Sequence, residues 1–477
     1  MDLSRPLSVL FLAPECAPLT KTGGLGDVCA ALPRALRGLG VDVRVLMPGY
    51  PAVLAHGELQ PVAAFTLLGN EVRLLEGTLP GEVPLLVVQS AALYERPGGP
   101  YVADTGSDWP DNALRFAVLS QVAARLAGPD SPLAWRPEVV HCNDWPTAPA
   151  AAYLRFASAP TASIVTIHNL AFQGLFDRNW VERLGFPAHS FAFDGLEFHG
   201  RLSFLKAGLS YADAINTVSP TYAREIQAPA LGCGLDGLLR HRSGVLSGIL
   251  NGIDTQLWDP ASDPHLPQAY EAEKLGLKAR NKEALQRRMG LALDPDVPLF
   301  GQVGRMTPQK GGDLLLETAQ RLAAMGQVVM LGSGDRALET ALGELPKLYP
   351  RRIAVQVGFD EGLAHLIEAG ADIFLMPSRY EPCGLNQMYS QRYGTPPVVH
   401  ATGGLADTVE DGVTGFAFHE YSGAAFLRAV ERAVQCRRDP HAWRALQRAG
   451  MRRDFSWSAA ARRYAGLYRT LAMRASA

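Results

Sequence analysis

The chain has 477 residues, of which 47% are hydrophobic and 19% charged, a composition that excludes a disordered polypeptide. Lys and Arg total 45 against 47 for Asp and Glu, so no overall charge attracts nucleic acid or an anionic membrane surface. The length exceeds what a single hydrophobic core usually supports, and two domains are therefore expected.

Cysteine usage and hydropathy predict the compartment. The six cysteines are spread singly along the chain without a CxxC pair, as is typical of reduced thiols in the cytoplasm. The apolar run Leu7–Ala13 leads into Pro14 and Glu15 instead of a small-residue cleavage site, which favours a first strand over a signal peptide. No run of about 18 apolar residues predicts a membrane-spanning helix. We therefore expect a soluble cytoplasmic protein.

Apolar runs alternate with helical patterns through the first half of the chain. Buried parallel strands have such continuous apolar runs, so their alternation with helices indicates the βαβ units of a doubly wound α/β domain. The predicted strands are Leu7–Ala13, Val41–Met47, Val139–Cys142, Ser163–Ile167 and Ala214–Val218, with a strand-rich stretch from Val62 to Ser90. The predicted helices are Asp27–Arg37, Asn112–Leu126 and Leu202–Tyr211.

The segment Ser247–Pro260, with its Gly, Asn, Asp and Pro residues, interrupts this pattern and predicts a domain linker. A second series follows, with predicted strands Leu299–Val303, Val328–Leu331, Ile353–Val357, Ile373–Met376 and Pro397–His400 and predicted helices Asp313–Met325, Gly362–Ala369 and Leu385–Tyr393. Three helical segments are predicted between Ala424 and Met473. The predicted domains are residues 1–250 and 251–456, followed by a helix within residues 457–477.

A glycine-rich turn, KTGGLGD, runs from Lys21 to Asp27 after the first predicted strand. Glycines such as Gly24 let a ligand approach the backbone, and the free N–H groups of a helix start attract phosphate. Steric turns without a ligand have the same composition, so the motif alone leaves both interpretations open. The turn matches neither the dinucleotide-binding GxGxxG nor a Walker loop.

Polar residues follow two further predicted strands of the first half. Asp144 and Trp145 come after Val139–Cys142, and His168 and Asn169 come after Ser163–Ile167. Ligands of open α/β sheets bind beyond the carboxyl ends of the strands, where a carboxylate and an aromatic ring can hold a sugar. The alternatives are a helix N-cap for Asp144 and a purely structural role for His168.

Two motifs of the second half also follow strands. GRMTPQKGGD contains Arg305 and Lys310, and two cations from one loop suit a diphosphate, although ordinary loops also carry such pairs. PSRYEPCGLNQ contains Glu381, which can accept hydrogen bonds from sugar hydroxyls or can merely stabilise the start of the next helix. Cys383 has no evident partner for a nucleophilic role, which favours packing.

Metal binding is not predicted. The DxD formed by Asp294 and Asp296 lies in a Pro-containing turn, which is typical of a solvated loop. The histidines have no HExxH spacing. We therefore expect Arg305, Lys310 and helix starts to balance the charge of a diphosphate in place of Mg²⁺.

The order and spacing of these motifs resemble the bacterial glycogen synthase and plant starch synthase family. The similar segments are KTGGLGD, YERPGGPYVADTGSDWPDNALRFAVLS, TIHNLAFQG, ILNGIDTQLWDP, GRMTPQKGGD, PSRYEPCGL, TGGLADTV and FSWSAAARRY. The resemblance implies the GT-B fold, an α/β architecture with two Rossmann-like domains facing across a deep cleft and a last helix that crosses back to the N-terminal domain. It also implies metal-independent, retaining transfer of glucose from ADP-glucose to the non-reducing end of an α-1,4-glucan, without a cofactor.

The resemblance also implies roles for individual residues. Arg305 and Lys310 would bind the ADP diphosphate and stabilise the departing charge. Glu381 would hold the transferred glucose, with His168 and Asn169 on its other side. The remaining implied contacts are Asp144 near the reacting sugar, Phe359 against adenine, and Lys21, Gly24, Asp27, Asn251, Cys383, Gly384, Leu385 and Asn386 elsewhere on the substrates.

Three positions depart from the family pattern. Asn143 stands where His is usual, Asn386 where Thr is usual, and His400-Ala401 where a basic pair is usual. Loss of an arginine from the site would weaken anion binding, and His400 would partly replace it at lower pH. The alternative functions are a retaining GT-B transferase that uses UDP-glucose and a glucan-binding relative without catalysis. A dehydrogenase is disfavoured because GxGxxG is missing after the first strand.

Overall fold

The computed structural model describes residues 6–475, which form two compact units. The first unit comprises the chain up to Val218, the segment Ala223–Gly252 and the helix that begins at Trp457. The second unit comprises Ser219–Tyr222 and Ile253–Ser456. Within residues 6–475, no helix combines the length and the apolar character that a bilayer crossing requires.

The first unit contains a nine-stranded sheet and a separate, smaller sheet of three strands. The strands are β1 (Ser8–Leu12), β2 (Asp42–Pro48), β3 (Gln60–Leu67), β4 (Asn70–Leu79), β5 (Val83–Gln89), β6 (Val139–Asn143), β7 (Ala162–Ile167), β8 (Leu175–Phe176), β9 (Glu197–Phe198), β10 (Arg201–Ser203), β11 (Ala214–Thr217) and β12 (Leu246–Gly248). The large sheet has the order β12-β11-β7-β6-β1-β2-β5-β4-β3 and is parallel except at β3 and β4. The small sheet has the order β8-β10-β9.

Helices cover the parallel strands of the first unit, as continuous apolar strands require. The helices of this part of the chain are α1 (Gly24–Arg37), α2 (Pro51–Leu54), α3 (Ala91–Tyr94), α4 (Asn112–Ala127), α5 (Asp144–Thr147), α6 (Pro149–Phe156), α7 (Trp180–Arg183), α8 (Phe204–Tyr211), α9 (Pro220–Glu225), whose first residues belong to the second unit, and α10 (Asp236–His241). The predicted helix Leu202–Tyr211 is wrong at its start, because Leu202 belongs to β10. Helix α8 begins only after Ser203, whose side chain accepts a hydrogen bond from the N–H of Lys206.

The second unit contains a six-stranded sheet that is parallel throughout, with the order β15-β14-β13-β16-β17-β18. Its elements are α11 (Lys278–Arg288), β13 (Leu299–Val303), α12 (Gly312–Met325), β14 (Gln327–Gly332), α13 (Arg336–Leu348), β15 (Ile353–Val357), α14 (Glu361–Gly370), β16 (Ile373–Met376), α15 (Asn386–Arg392), β17 (Pro397–His400), α16 (Gly403–Thr408), β18 (Phe416–Phe418), α17 (Gly423–Arg437) and α18 (Pro440–Met451). The predicted α/β class with two Rossmann-like sheets is confirmed.

The last described helix, α19 (Trp457–Ala475), packs within the first unit against α1, β6 and β7. Its buried face includes Trp457, Ala461, Tyr464 and Tyr468, a stripe with helical spacing. The Tyr468 hydroxyl lies 2.6 Å from Nδ1 of buried His141 in β6. Burial lowers the pKa of His141 to about 3, so this contact involves a neutral imidazole.

Candidate functional site

In the first unit, the predicted site residues follow three neighbouring strands. Lys21 and Asp27 follow β1, Asp144 follows β6, and His168 follows β7, in a sheet where these strands stand in the order β7-β6-β1. The chain passes from β1 to β2 on one side, while β6 lies on the other side. The loops after β1 and β6 therefore flank a topological switch point, the usual ligand position in open α/β sheets.

The carboxyl group of Asp144 joins the loop after β6 to the loop after β7. Its Oδ1 accepts hydrogen bonds from the N–H groups of His168, at 2.8 Å, and Asn169, at 3.4 Å. The N-cap interpretation is therefore wrong, because the carboxylate accepts from another loop and not from its own short helix. Burial raises the pKa of Asp144 to about 7, and the nearby charge of Glu15 acts in the same direction.

The ring of His168 is fixed by Asn143, one of the positions that depart from the family pattern. His168 Nε2 lies 3.0 Å from Oδ1 of Asn143, whose Nδ2 donates to the carbonyl of Leu12 at 2.9 Å. An amide oxygen only accepts, so Nε2 carries the proton and Nδ1 is left as an acceptor. Burial lowers the pKa of His168 to about 3, which keeps the imidazole neutral.

The KTGGLGD turn is organised by a carboxylate that the sequence motifs did not single out. Buried Glu15 accepts hydrogen bonds from the N–H of Thr22, at 2.7 Å, and of Gly26, at 3.0 Å. Helix α1 begins at Gly24, three residues before the predicted start at Asp27, and ends at Arg37 as predicted. Lys21 is not free, because its Nζ lies 2.8 Å from Oδ1 of Asp27.

In the second unit, one of the two predicted cations and the predicted sugar-binding carboxylate meet at the switch point between β13 and β16. Lys310 follows β13 and Glu381 follows β16, and the two strands are adjacent in the sheet. Lys310 Nζ lies 2.5 Å from Glu381 Oε2, and the side chains are only 23% and 6% exposed. The Ser378 hydroxyl donates to the same carboxylate oxygen at 3.2 Å. The structure thus brings together residues from two separate motifs.

Glycines in these loops allow backbone to approach backbone, not only a ligand. Gly311 has φ +79°, and a Cβ there would collide with the carbonyl oxygen of Pro377. Gly403 has φ +45°, and its Cβ would collide with the carbonyl oxygen of Glu381. The loops after β13, β16 and β17 are therefore packed together around Lys310 and Glu381.

Arg305 lies in the same loop as Lys310 but is exposed. Its guanidinium makes one long hydrogen bond, at 3.3 Å, to Oε1 of Gln309. Among residues 6–475, the backbone N–H groups of Gly384 and Leu385 have no hydrogen-bond acceptor. Asn386, which stands where Thr is usual, donates to the carbonyl of Val303 at 2.7 Å and so ties its loop to β13.

The other predicted contact residues differ in burial. Phe359 follows β15, the edge strand of its sheet, and its side chain is 87% exposed. Asn251 follows β12, the edge strand of the first unit's sheet, and its buried Oδ1 has no hydrogen-bond partner among residues 6–475. Cys383 is buried. Asp294 accepts from the N–H groups of Asp296 and Val297 and forms the exposed turn that the sequence predicts.

The His400 side chain contacts two nearby backbone carbonyl groups. Its Nδ1 lies 2.9 Å from the carbonyl oxygen of Ser378, and its Nε2 lies 3.2 Å from the carbonyl oxygen of His419. Both ring nitrogens are therefore directed at carbonyl groups. The expectation that His400 replaces a missing arginine as an anion ligand does not fit this geometry.

Comparison with known proteins identifies the family. The starch synthase catalytic domain family matches residues 8–241, and glycosyl transferases group 1 matches residues 286–449. A glycogen synthase of Nitrosomonas eutropha is 52% identical, over 98% of this chain and 97% of the relative. A glycogen synthase of Dechloromonas aromatica is 54% identical, over 97% of this chain and 98% of the relative. This chain belongs to the glycogen synthase family. It is therefore a glycosyltransferase, as the resemblance implied.

A solved relative of this glycogen synthase family member supports the fold. The catalytic domain of starch synthase IV from Arabidopsis thaliana, bound to ADP and acarbose, is 30% identical and has a TM-score of 0.86. The similarity covers 98% of this chain and 100% of that one. The predicted GT-B class is confirmed. The roles of individual site residues stay predictions.

Proposed function

We propose that this glycogen synthase family member transfers glucose from ADP-glucose to the 4-hydroxyl at the non-reducing end of an α-1,4-glucan, with retention of configuration. The observation that carries the proposal is the Lys310–Glu381 pair at the switch point of the second unit, 2.5 Å between charged atoms. The glycogen synthase relatives and the ADP and acarbose of the starch synthase IV structure support the choice of donor and acceptor.

Arg305 and Lys310 supply the positive charge for the leaving ADP in this proposal. Lys310 uses one hydrogen toward Glu381, and an ammonium group has three donors, so it can also bind a phosphate oxygen. Arg305 is exposed, its hydrogen bond to Gln309 is long, and its planar fork suits phosphate. Preorganised donors aimed at developing charge are worth about 3 kcal/mol or more each. No cofactor besides the donor substrate is proposed.

Glu381 is proposed to hold the transferred glucose. A carboxylate only accepts hydrogen bonds, and this one is buried and kept in place by Lys310 and Ser378. We propose that Asp144 and the loop of His168 and Asn169, in the first unit, also contact the substrates. Residues 1–250 would then form the acceptor domain, and residues 251–456 the nucleotide-sugar domain.

The reaction breaks the bond between glucose C1 and the ADP oxygen and forms a bond between C1 and the acceptor O4. The acceptor approaches the face that ADP leaves, so configuration is retained, and the hydroxyl proton passes to the departing phosphate oxygen. The side chains of Arg305 and Lys310 contribute by lowering the energy of the charge that develops on ADP.

The test incubates purified protein with glycogen and either ADP-glucose or UDP-glucose, with EDTA present, and measures released nucleoside diphosphate. We expect ADP release and incorporated glucose that amyloglucosidase removes, with little UDP release. Release of UDP in preference to ADP would favour the UDP-glucose alternative. Glycogen binding without release of either nucleotide would favour a glucan-binding protein.

The proposed location is the cytoplasm. No disulfide bond forms among residues 6–475, which suits a reducing compartment. Fractionation of cells that express the protein should recover it with cytoplasmic enzymes, and recovery with secreted or envelope fractions would contradict this.

A further inference from the structure

We propose that Tyr421 is a positioning residue for the Lys310–Glu381 pair, an inference that rests on the proposed function. Tyr421 lies between β18 and α17, in a segment, His419–Ser422, that we name the strap. The sequence motifs did not include it. Its importance follows from contacts with the two loops that carry Lys310 and Glu381.

The first contact is with the loop of Lys310. The Tyr421 hydroxyl donates a hydrogen bond to Oδ1 of Asp313 at 2.8 Å. Asp313 lies in the first turn of α12, three residues after Lys310. Burial and the adjacent carboxylate raise the pKa of Tyr421, so its hydroxyl stays protonated and remains a donor.

The second contact is with the loop of Glu381. Arg379 precedes Glu381 by two residues, and its guanidinium carbon lies 4.1 Å from the centre of the Tyr421 ring. The same guanidinium donates to Oδ2 of Asp313 at 2.8 Å. The N–H of Arg379 donates to the carbonyl of Gln309 at 2.8 Å. Tyr421 therefore touches both partners of a bridge between the two loops.

This bridge needs support from Tyr421. The Asp313 and Arg379 side chains are 38% and 52% exposed, and exposed ion pairs hold geometry only weakly. Tyr421 restrains the carboxylate through a hydrogen bond and the guanidinium through its ring face. The strap has a second attachment, because His400 lies between the carbonyl oxygens of His419 and Ser378.

Loss of the hydroxyl should therefore act on turnover more than on binding. A misplacement of reacting groups by about 1 Å can cost about 100-fold in rate. Removal of one restraint, with the ring retained, should cost less. We expect Tyr421→Phe to lower kcat about 5- to 10-fold, with KM for glycogen and the melting temperature nearly unchanged.

The experiment measures kcat, KM and thermal unfolding for Tyr421→Phe, Asp313→Ala and the double variant. Tyr349→Phe is the matched control, since this tyrosine of the same unit has no hydrogen bond from its hydroxyl among residues 6–475. Asp313→Ala removes the acceptor of the Tyr421 hydroxyl and should lower kcat at least as much as Tyr421→Phe. The double variant should be no slower than Asp313→Ala, because that change alone already breaks the contact between the two side chains.

Results against the positioning role differ from a result against the proposed function. Wild-type kcat in Tyr421→Phe, or effects of the two changes that multiply in the double variant, would overturn the positioning role. A fall in kcat that merely follows the loss of folded protein would overturn it as well. Failure of the unmodified protein to release ADP would contradict the proposed function instead.

Discussion

Lys310 and Glu381 are 71 residues apart in the chain, yet their ammonium nitrogen and carboxylate oxygen lie 2.5 Å from each other. The contact exists because β13 and β16 are neighbours in a parallel sheet whose loops leave at the same edge. Gly311 and Gly403 then remove the side chains that would keep these loops apart. The pair is therefore a product of topology and of two glycines together.

The two cations should respond differently to substitution. Arg305→Ala should lower kcat about 100-fold or more, which corresponds to about 3 kcal/mol, and should leave the free energy of unfolding within about 0.5 kcal/mol of wild type. Arg305 is exposed and has one weak hydrogen bond. Steady-state kinetics with ADP-glucose and urea denaturation measure both effects. Near-wild-type turnover would contradict its proposed role.

Lys310→Ala should lower both kcat and stability. The buried Glu381 carboxylate would lose its ion partner and, among residues 6–475, would keep only the Ser378 hydroxyl, at a cost of about 1 to 3 kcal/mol. The double variant Lys310→Ala/Glu381→Gln should recover part of that stability without recovering turnover. If Lys310→Ala leaves stability unchanged, the pair does not hold these loops together.

Asp144 should make stability depend on pH. Its folded pKa, about 7, lies above the ordinary value of 3.8, so the folded protein binds the extra proton between these limits. The free energy of unfolding should therefore fall as pH rises from about 4 to about 7. Asp144→Asn should lack this component of the slope and should gain stability relative to wild type at pH 8. The exposed carboxylate of Asp130 provides the control variant, Asp130→Asn.

Gly311→Ala should destabilise the second unit by more than the strain of a positive φ alone would. A Cβ at Gly311 meets the carbonyl oxygen of Pro377, whereas Gly40 has nearly the same φ, +78°, and open space around it. Gly40→Ala should cost about 1 to 2 kcal/mol for the left-handed conformation. Gly311→Ala should cost more and should lower kcat. Equal costs in urea denaturation would show that the loops move apart freely.

Tyr468→Phe tests the attachment of the last helix. The change leaves Nδ1 of buried His141 without its partner, which should cost about 1 to 3 kcal/mol. Tyr349→Phe should stay within about 0.5 kcal/mol of wild type. Chemical denaturation of both variants measures the difference. A negligible effect would mean that α19 is held by apolar packing alone.

Much of the fold was predictable because a buried parallel strand appears in the sequence as a short continuous run of apolar residues. Leu299–Val303, Ile353–Val357, Ile373–Met376 and Pro397–His400 were predicted to the residue, since each is an apolar run bounded by polar, Gly or Pro residues. Helix α13 was missed, and it contains Pro346, which argues against a helix interior. Strands β8, β9 and β10 have two or three residues each and are defined by pairing alone.

The site was predictable as a set of strand ends but not as a set of contacts. Arg305, Lys310 and Glu381 could be identified because charged residues after parallel strands lie at the ligand edge. The backbone amides that donate to Asp144 belong to His168 and Asn169, which are 24 and 25 positions later in the chain. No local sequence pattern predicts a contact over that separation. No sequence pattern indicated a role for Tyr421, because its contacts form only when β18 has paired with β17.

The position of α19 has a consequence for biosynthesis. This helix covers parts of α1, β6 and β7. The ribosome makes residues 253–456, which belong to the second unit, before it makes this helix. At about 5 to 20 residues per second, the nascent first unit waits about 10 to 40 seconds with an apolar surface uncovered. Chaperones that bind such surfaces should therefore associate with the growing chain and leave once translation is complete.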